Sequence, residues 1–152
     1  MVYRKPSDDS AHWRLPLLVE TINEITGDPS IGWELRGTPT TEDEFKATFK
    51  ICKTPETFNA DGSTKDDVVW RTEAEWGFTW DDVKTKWDAK IAAQPLKDLR
   101  GERNDKLSET DWMANSDVTL SDDWKQYRQA LRDLPANTSD PSNPTWPTKP
   151  GG

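Results

Sequence analysis

Apolar residues recur along this chain in two different periods, and the changes of period divide it. Leu15, Leu18, Ile22 and Ile25 are spaced by three, four and three positions, which puts them in one stripe of a helix. Proline fits the first helical turn, where its missing N–H has no intrahelical partner to lose. Within residues 8–26, Pro16 therefore sets the helix start near Leu15, and Gly27 followed by Pro29 ends it. From Ile31 to Phe78 the period falls to two. Trp33 and Leu35 alternate with polar neighbours, as do Phe45, Ala47, Phe49 and Ile51, and Val68, Trp70 and Thr72 follow an Asp61-Gly62 turn signal. Short antiparallel strands, each with one packed face, are the expectation. Thr41 to Phe49 has a rival reading, because Thr-Glu-Asp-Glu opens like a capping box and Phe45 and Phe49 are four apart. The strand reading is preferred.

At Thr79 the helical period returns. Thr79 can cap a helix carrying Trp80, Val83, Trp87 and Ile91 at intervals of three, four and four, a strongly amphipathic pattern. Pro95 is expected to kink or break it, after which Leu96, Leu99, Arg103 and Leu107 continue the face to Ser108, with Glu102 placed to pair with Lys106. A further helix opens at Ser121, with Asp122 and Asp123 in its first turn; Trp124, Tyr127, Leu131 and Leu134 line one side and Pro135 is expected to stop it. Two antiparallel helices joined by residues 109–120 follow. The remainder, to Gly152, is rich in proline and carries one aromatic, Trp146, so it reads as an extended strap. The expected fold is α+β: residues 1–94 hold short antiparallel strands and a helix, and residues 95–152 hold a helical hairpin with a Pro-rich strap over 137–152.

Composition changes this picture in one respect. Leu, Ile, Val and Phe make up only 25 of 152 residues, and the net charge is −8, values typical of disordered chains. Nine tryptophans offset the deficit, since each buried Trp removes roughly 150–250 Å² from water. A pI near 4.7 with interspersed charges argues against nucleic acid, whose binders need a basic stripe. The run Leu15 to Val19 is too short to span a bilayer, and no secretory signal is expected from Met1 to Ser7.

Candidate chemistry is sparse. His12 and Cys52 are the sole residues of their kinds, so no internal disulfide is possible and no nucleophile and base pair stands out. Neither Cys-x-x-Cys nor His-x-x-x-His occurs, Asp61-Gly62-Ser63 lacks the alternating ligands of a calcium loop, and no Gly-rich phosphate loop is present. The pairs Asp8-Asp9, Asp66-Asp67, Asp81-Asp82 and Asp122-Asp123 read as helix starts and solvated turns. Asn137-Thr138-Ser139 matches a glycosylation sequon, a match without weight where no secretory signal is expected. No catalytic residue, cofactor or metal is expected.

One stretch carries a family resemblance. The run from Leu96 to Trp112, then Trp124 to Pro135, then Trp146 to Pro150, is similar to the tail assembly chaperone domain of tailed bacteriophages. The joint pattern is Arg103-Asn104, Thr110-Asp111-Trp112, Tyr127-Arg128, Leu131-Arg132-Asp133, Pro135 and Trp146-Pro147. Leu107-Ser108 departs from the two consecutive leucines often found in the family, and the loop from Met113 to Leu120 is freely composed. The resemblance implies a non-enzymatic protein of tail or tail-fibre assembly, acting in the host cytoplasm and either released or retained in the virion tail. Implied partners are tail, tail-fibre or baseplate proteins, with a second copy of the chain also open; a permanent virion component and, more remotely, a tail-associated hydrolase are the alternatives.

Read physically, Trp112, Trp124, Tyr127, Leu131 and Leu134 form a hydrophobic seam between the helices, with Trp146-Pro147 folded over one end. Arg103, Arg128 and Arg132 with Asp111 and Asp133 are candidates for a clasp, since a guanidinium can hold a carboxylate in a two-pronged grip. Asp111 is equally placed to cap a short turn.

Overall fold

The computed structural model describes residues 14–53, 68–114 and 119–151. His12, the Asp8-Asp9 and Asp66-Asp67 pairs and the Asp61-Gly62 turn lie outside them. Among the described residues, four helices and one two-stranded antiparallel sheet give an α+β architecture, and the chain divides into two compact units, Met1–Ile91 and Ala92–Gly152.

In the first unit, helix α1 (Arg14–Thr26) starts where Pro16 falls in its first turn. Gly27 ends it: its φ of +67° is a conformation glycine adopts without a Cβ penalty, and its N–H bonds back to the Asn23 carbonyl at 3.1 Å. Leu18 and Ile22 are fully buried, while Leu15, expected in the stripe, is 36% exposed. Strand β1 (Trp33–Leu35) pairs with β2 (Phe49–Ile51) in the register Trp33↔Ile51. The Val68 to Thr72 strand reduces to a single bridge, Cys52↔Trp70.

Residues expected to lead into β2 as strand are instead helix α2 (Glu42–Thr48), so the rival reading holds there. The reason is its cap. Thr41 Oγ1 accepts from the Glu44 N–H at 3.3 Å, and the Glu44 carboxylate accepts from the Thr40 N–H at 2.7 Å. These bonds satisfy N–H groups that would otherwise be orphaned at the helix start. Phe45 and Phe49 then stack at 4.8 Å, Trp76 meets both edge-on, and Trp80 lies 5.0 Å from Phe45. With Leu18, Ile22, Ile51, Val83 and Trp87 they form the core. Its rim is pinned by two indoles: Trp87 Nε1 donates to the Arg14 carbonyl at 3.0 Å and Trp33 Nε1 to Asn23 Oδ1 at 2.8 Å.

Helix α3 (Trp80–Ser108) opens with a reciprocal cap between Thr79 and Asp82 and runs on through Pro95, so that, of the expected kink or break, the break does not occur. Proline fixes φ near the helical value, so its cost inside a long helix is one lost bond, here to the Ile91 carbonyl, and local ring crowding. The same holds in α4 (Asp122–Asn137), which Pro135 does not stop. In the second unit, the later part of α3, a 3₁₀ turn (Asp111–Ala114) and α4 bury Leu99, Thr110, Tyr127, Arg128, Leu131 and Leu134.

Candidate functional site

On α4, Tyr127, Leu131 and Leu134 share the buried face, and Arg128 stands beside Tyr127 at its edge. Its stem is covered and its side chain is only 9% exposed. The guanidinium sits at the end of α3: Nη1 donates to the Leu107 carbonyl at 3.0 Å and to the Thr110 hydroxyl, and Nη2 to Asp111 Oδ1 at 2.8 Å. The Thr110 hydroxyl in turn donates to the Leu107 carbonyl at 2.9 Å. The last carbonyls of a helix have no intrahelical partner and carry the negative end of its dipole. A buried cation there is satisfied by backbone as well as by a carboxylate, that of Asp111, whose side chain is 65% exposed.

The other candidates divide around this node. Arg103 Nη1 reaches the Arg132 carbonyl at 3.5 Å; with Arg128 at Leu107, these two contacts run in opposite chain directions. Asp133 is engaged within α4, accepting from Gln129 at 2.9 and 3.1 Å, and the side chains of Asn104 and Arg132 are exposed. Trp112, placed in the seam by its sequence, is 58% exposed. It lies on the 3₁₀ turn, whose neighbouring Thr110 and Asp111 are drawn to Arg128, so its indole is left outside. Trp124 is half-buried and meets the Tyr127 ring edge-on at 5.8 Å. Pro135 is half-buried in α4.

Beyond α4 the chain turns on Asp140, which accepts from the Ser142 N–H at 3.0 Å and the Asn143 side chain at 2.8 Å, and residues 144–149 run without regular structure. Lys106 stands 4.9 Å over the Trp146 ring, and Lys149 pairs with Glu109 at 3.1 Å. Pro147 borders two clefts against α4. One, of about 540 Å³, is bounded by Gln126, Tyr127 and Ala130 opposite Lys149 and Pro150; the other, of about 400 Å³, by Leu134 and Asn137 opposite Trp146. The sequence did not assign Lys106, Glu109 or Lys149 to this face. The spacing of Glu102 and Lys106, a pair at 3.5 Å, pointed to another partner for that lysine.

Residues 92–152 contain neither His nor Cys, and among the described residues no cluster of His, Cys, Asp or Glu is disposed to hold a metal. Asp122 is held below the usual carboxylate range by its bond from Lys125, a helix-start pairing. No helix among the described residues is long and apolar enough to cross a membrane.

Residues 96–151 match the model of a family described as phage tail assembly chaperone protein. No curated protein and no solved structure matches the chain.

Proposed function

We propose that residues 95–152 form a protein-binding module of bacteriophage tail assembly: a helical hairpin with its strap that engages a tail or tail-fibre protein as chaperone or adaptor, without chemistry of its own. The observation that carries the reading is the family match over 96–151, which takes in every element around Arg128 and the strap. The geometry agrees with a binding role. Arg128 ties α4 to the end of α3 and gives the turn a defined shape, and that turn displays Trp112, an aromatic type enriched among binding anchors. Residues 1–94 serve on this reading to select the partner or to set the oligomer.

A phage carrying a disrupted copy of this gene tests the proposal. Lysates should contain particles with absent or incomplete tails or fibres in electron micrographs, restored by the gene in trans. Particles complete in tail and fibre would overturn it. Mass spectrometry of purified wild-type virions separates the two forms of the role: absence from the particle means a released chaperone acting in the host cytoplasm, and stoichiometric presence means a permanent tail component.

A further inference from the structure

The strap lies on the hairpin without being woven into it. Among the described residues, no backbone to backbone hydrogen bond joins residues 144–151 to either helix. What holds it is side chains: Trp146 under the Lys106 ammonium, Lys149 on Glu109, and the rings of Pro147 and Pro150 facing α4. The Lys149–Glu109 pair is more than half exposed on both sides, and such pairs contribute little. On either side the strap borders open surface clefts of about 540 and 400 Å³. Beneath it run Tyr127, Ala130 and Leu134, an apolar track on α4. A track with one aromatic, Tyr127, flanked by Asp123, Gln126, Asp133 and Asn137 and occupied by a proline-rich segment anchored by side chains alone resembles the arrangement by which proteins bind extended peptides, because a proline-stiffened ligand loses little entropy on docking.

We propose that this face is a peptide-binding groove: it takes an extended, proline-rich segment bearing an aromatic anchor and a lysine three residues later, and the chain's own Trp146-Pro147-Thr148-Lys149-Pro150 occupies it until a partner presents such a segment. The partner is, on the reading above, a tail or tail-fibre protein. The strap then acts as an intramolecular placeholder that keeps the apolar track covered before the partner arrives. A tethered segment faces its site at an effective concentration of order mM, so a free peptide competes only when the tethered copy is weakened.

The test uses the full-length chain and a synthetic peptide of residues 144–152. The Trp146→Ala protein should bind this peptide at least about tenfold more tightly than the wild-type protein does, and should not bind the same peptide with alanine at its tryptophan. Adding Glu109→Lys should weaken the native peptide by only about a few-fold, and the same peptide with glutamate in place of its lysine should recover that loss. A folded Trp146→Ala protein that ignores the peptide, or binds both peptides alike, overturns the proposal while leaving the assembly role untouched. Concentration-dependent dimers of the wild-type protein, with straps exchanged, would assign the groove to a second copy and overturn it as well. If Trp146→Ala does not fold, hydrogen exchange on the wild-type chain decides. Amides of Trp146, Thr148 and Lys149 should exchange orders of magnitude faster than those of Leu131 and Leu134, and equal protection would make the strap an integral part of the fold.

Discussion

Arg128 Nη1 lies 3.0 Å from the Leu107 carbonyl, so a side chain from the middle of α4 completes the end of α3. The bond sits in a buried spot with the Thr110 hydroxyl, itself 1% exposed. Removing the guanidinium leaves the buried Thr110 hydroxyl oxygen without a donor, while the Leu107 carbonyl keeps its bonds from the Thr110 N–H and hydroxyl at 3.0 and 2.9 Å, and the Asp111 bond, being largely in water, adds little. Arg128→Ala is expected to destabilise the protein by about 1.5–3 kcal/mol, the range for hydrogen bonds to a charged group. Arg128→Lys should recover only part, because an ammonium cannot reproduce the planar fork that serves three acceptors. Chemical denaturation of both variants measures this; an unchanged midpoint for Arg128→Ala would remove the node from the account.

Two aromatics of similar size should behave in opposite ways. Phe45 is fully buried among Phe49, Trp76 and Trp80, and Phe45→Ala is expected to cost about 3–5 kcal/mol. Trp112 is 58% exposed, so Trp112→Ala should alter stability by no more than about 0.5 kcal/mol while reducing co-purification of tail proteins from infected cells. Thermal unfolding alongside quantitative pull-down distinguishes them. A large loss of melting temperature in Trp112→Ala would return that residue to the seam.

The helices were legible because their apolar residues repeat with helical spacing and their starts carry Thr79 and Ser121 followed by acids. Three features were not. Phe45 and Phe49 satisfy both periods because the chain changes from helix to strand between them, at Phe49, whose N–H still bonds to the Phe45 carbonyl while its own backbone is extended; the alternation alone does not place that change, and the capping box at Thr41 to Glu44 marks only where the helix begins. Pro95 and Pro135 read as terminators, yet each removes one hydrogen bond from a helix that extends beyond it on both sides. Trp112 reads as core by type, and its exposure follows from a turn set by Arg128, some 16 residues away in sequence. Around the site, the Arg128–Asp111 contact uses two residues of the expected clasp, whereas the Leu107 carbonyl, a backbone acceptor, leaves no mark in a sequence.

Gly101 lies within α3, exposed, and a Cβ built there meets nothing within 4 Å. Glycine in a helix interior costs roughly 0.5–1 kcal/mol relative to alanine, through backbone entropy. Gly101→Ala should therefore raise stability by about that amount, read as a higher denaturation midpoint with an unchanged slope. A decrease would mean that another surface packs against Gly101 in solution.

Acid should loosen the first unit, and the sign follows from its carboxylates. Glu75 is held down to about 2 from an ordinary 4.5, first by the bond from Lys53 Nζ at 2.6 Å, then by the Thr72 N–H and hydroxyl. Glu44 and Asp82 are lowered by the threonines at their caps, Thr40 and Thr79, and Asp28 by Ser30. A carboxylate whose folded value lies below its unfolded one contributes stability that is complete above the unfolded value and is lost as pH falls through the folded value. Stability should stay level from these groups above about pH 5 and decline between about 4.5 and 2. NMR titration of the Glu75 side chain should show its inflection near 2. In Lys53→Met the inflection should move upward but stay below 4.5, because the Thr72 bonds remain. An inflection at the ordinary value in the wild-type protein would mean that neither Lys53 nor the Thr72 cap holds Glu75 in solution, and that the decline in acid arises elsewhere.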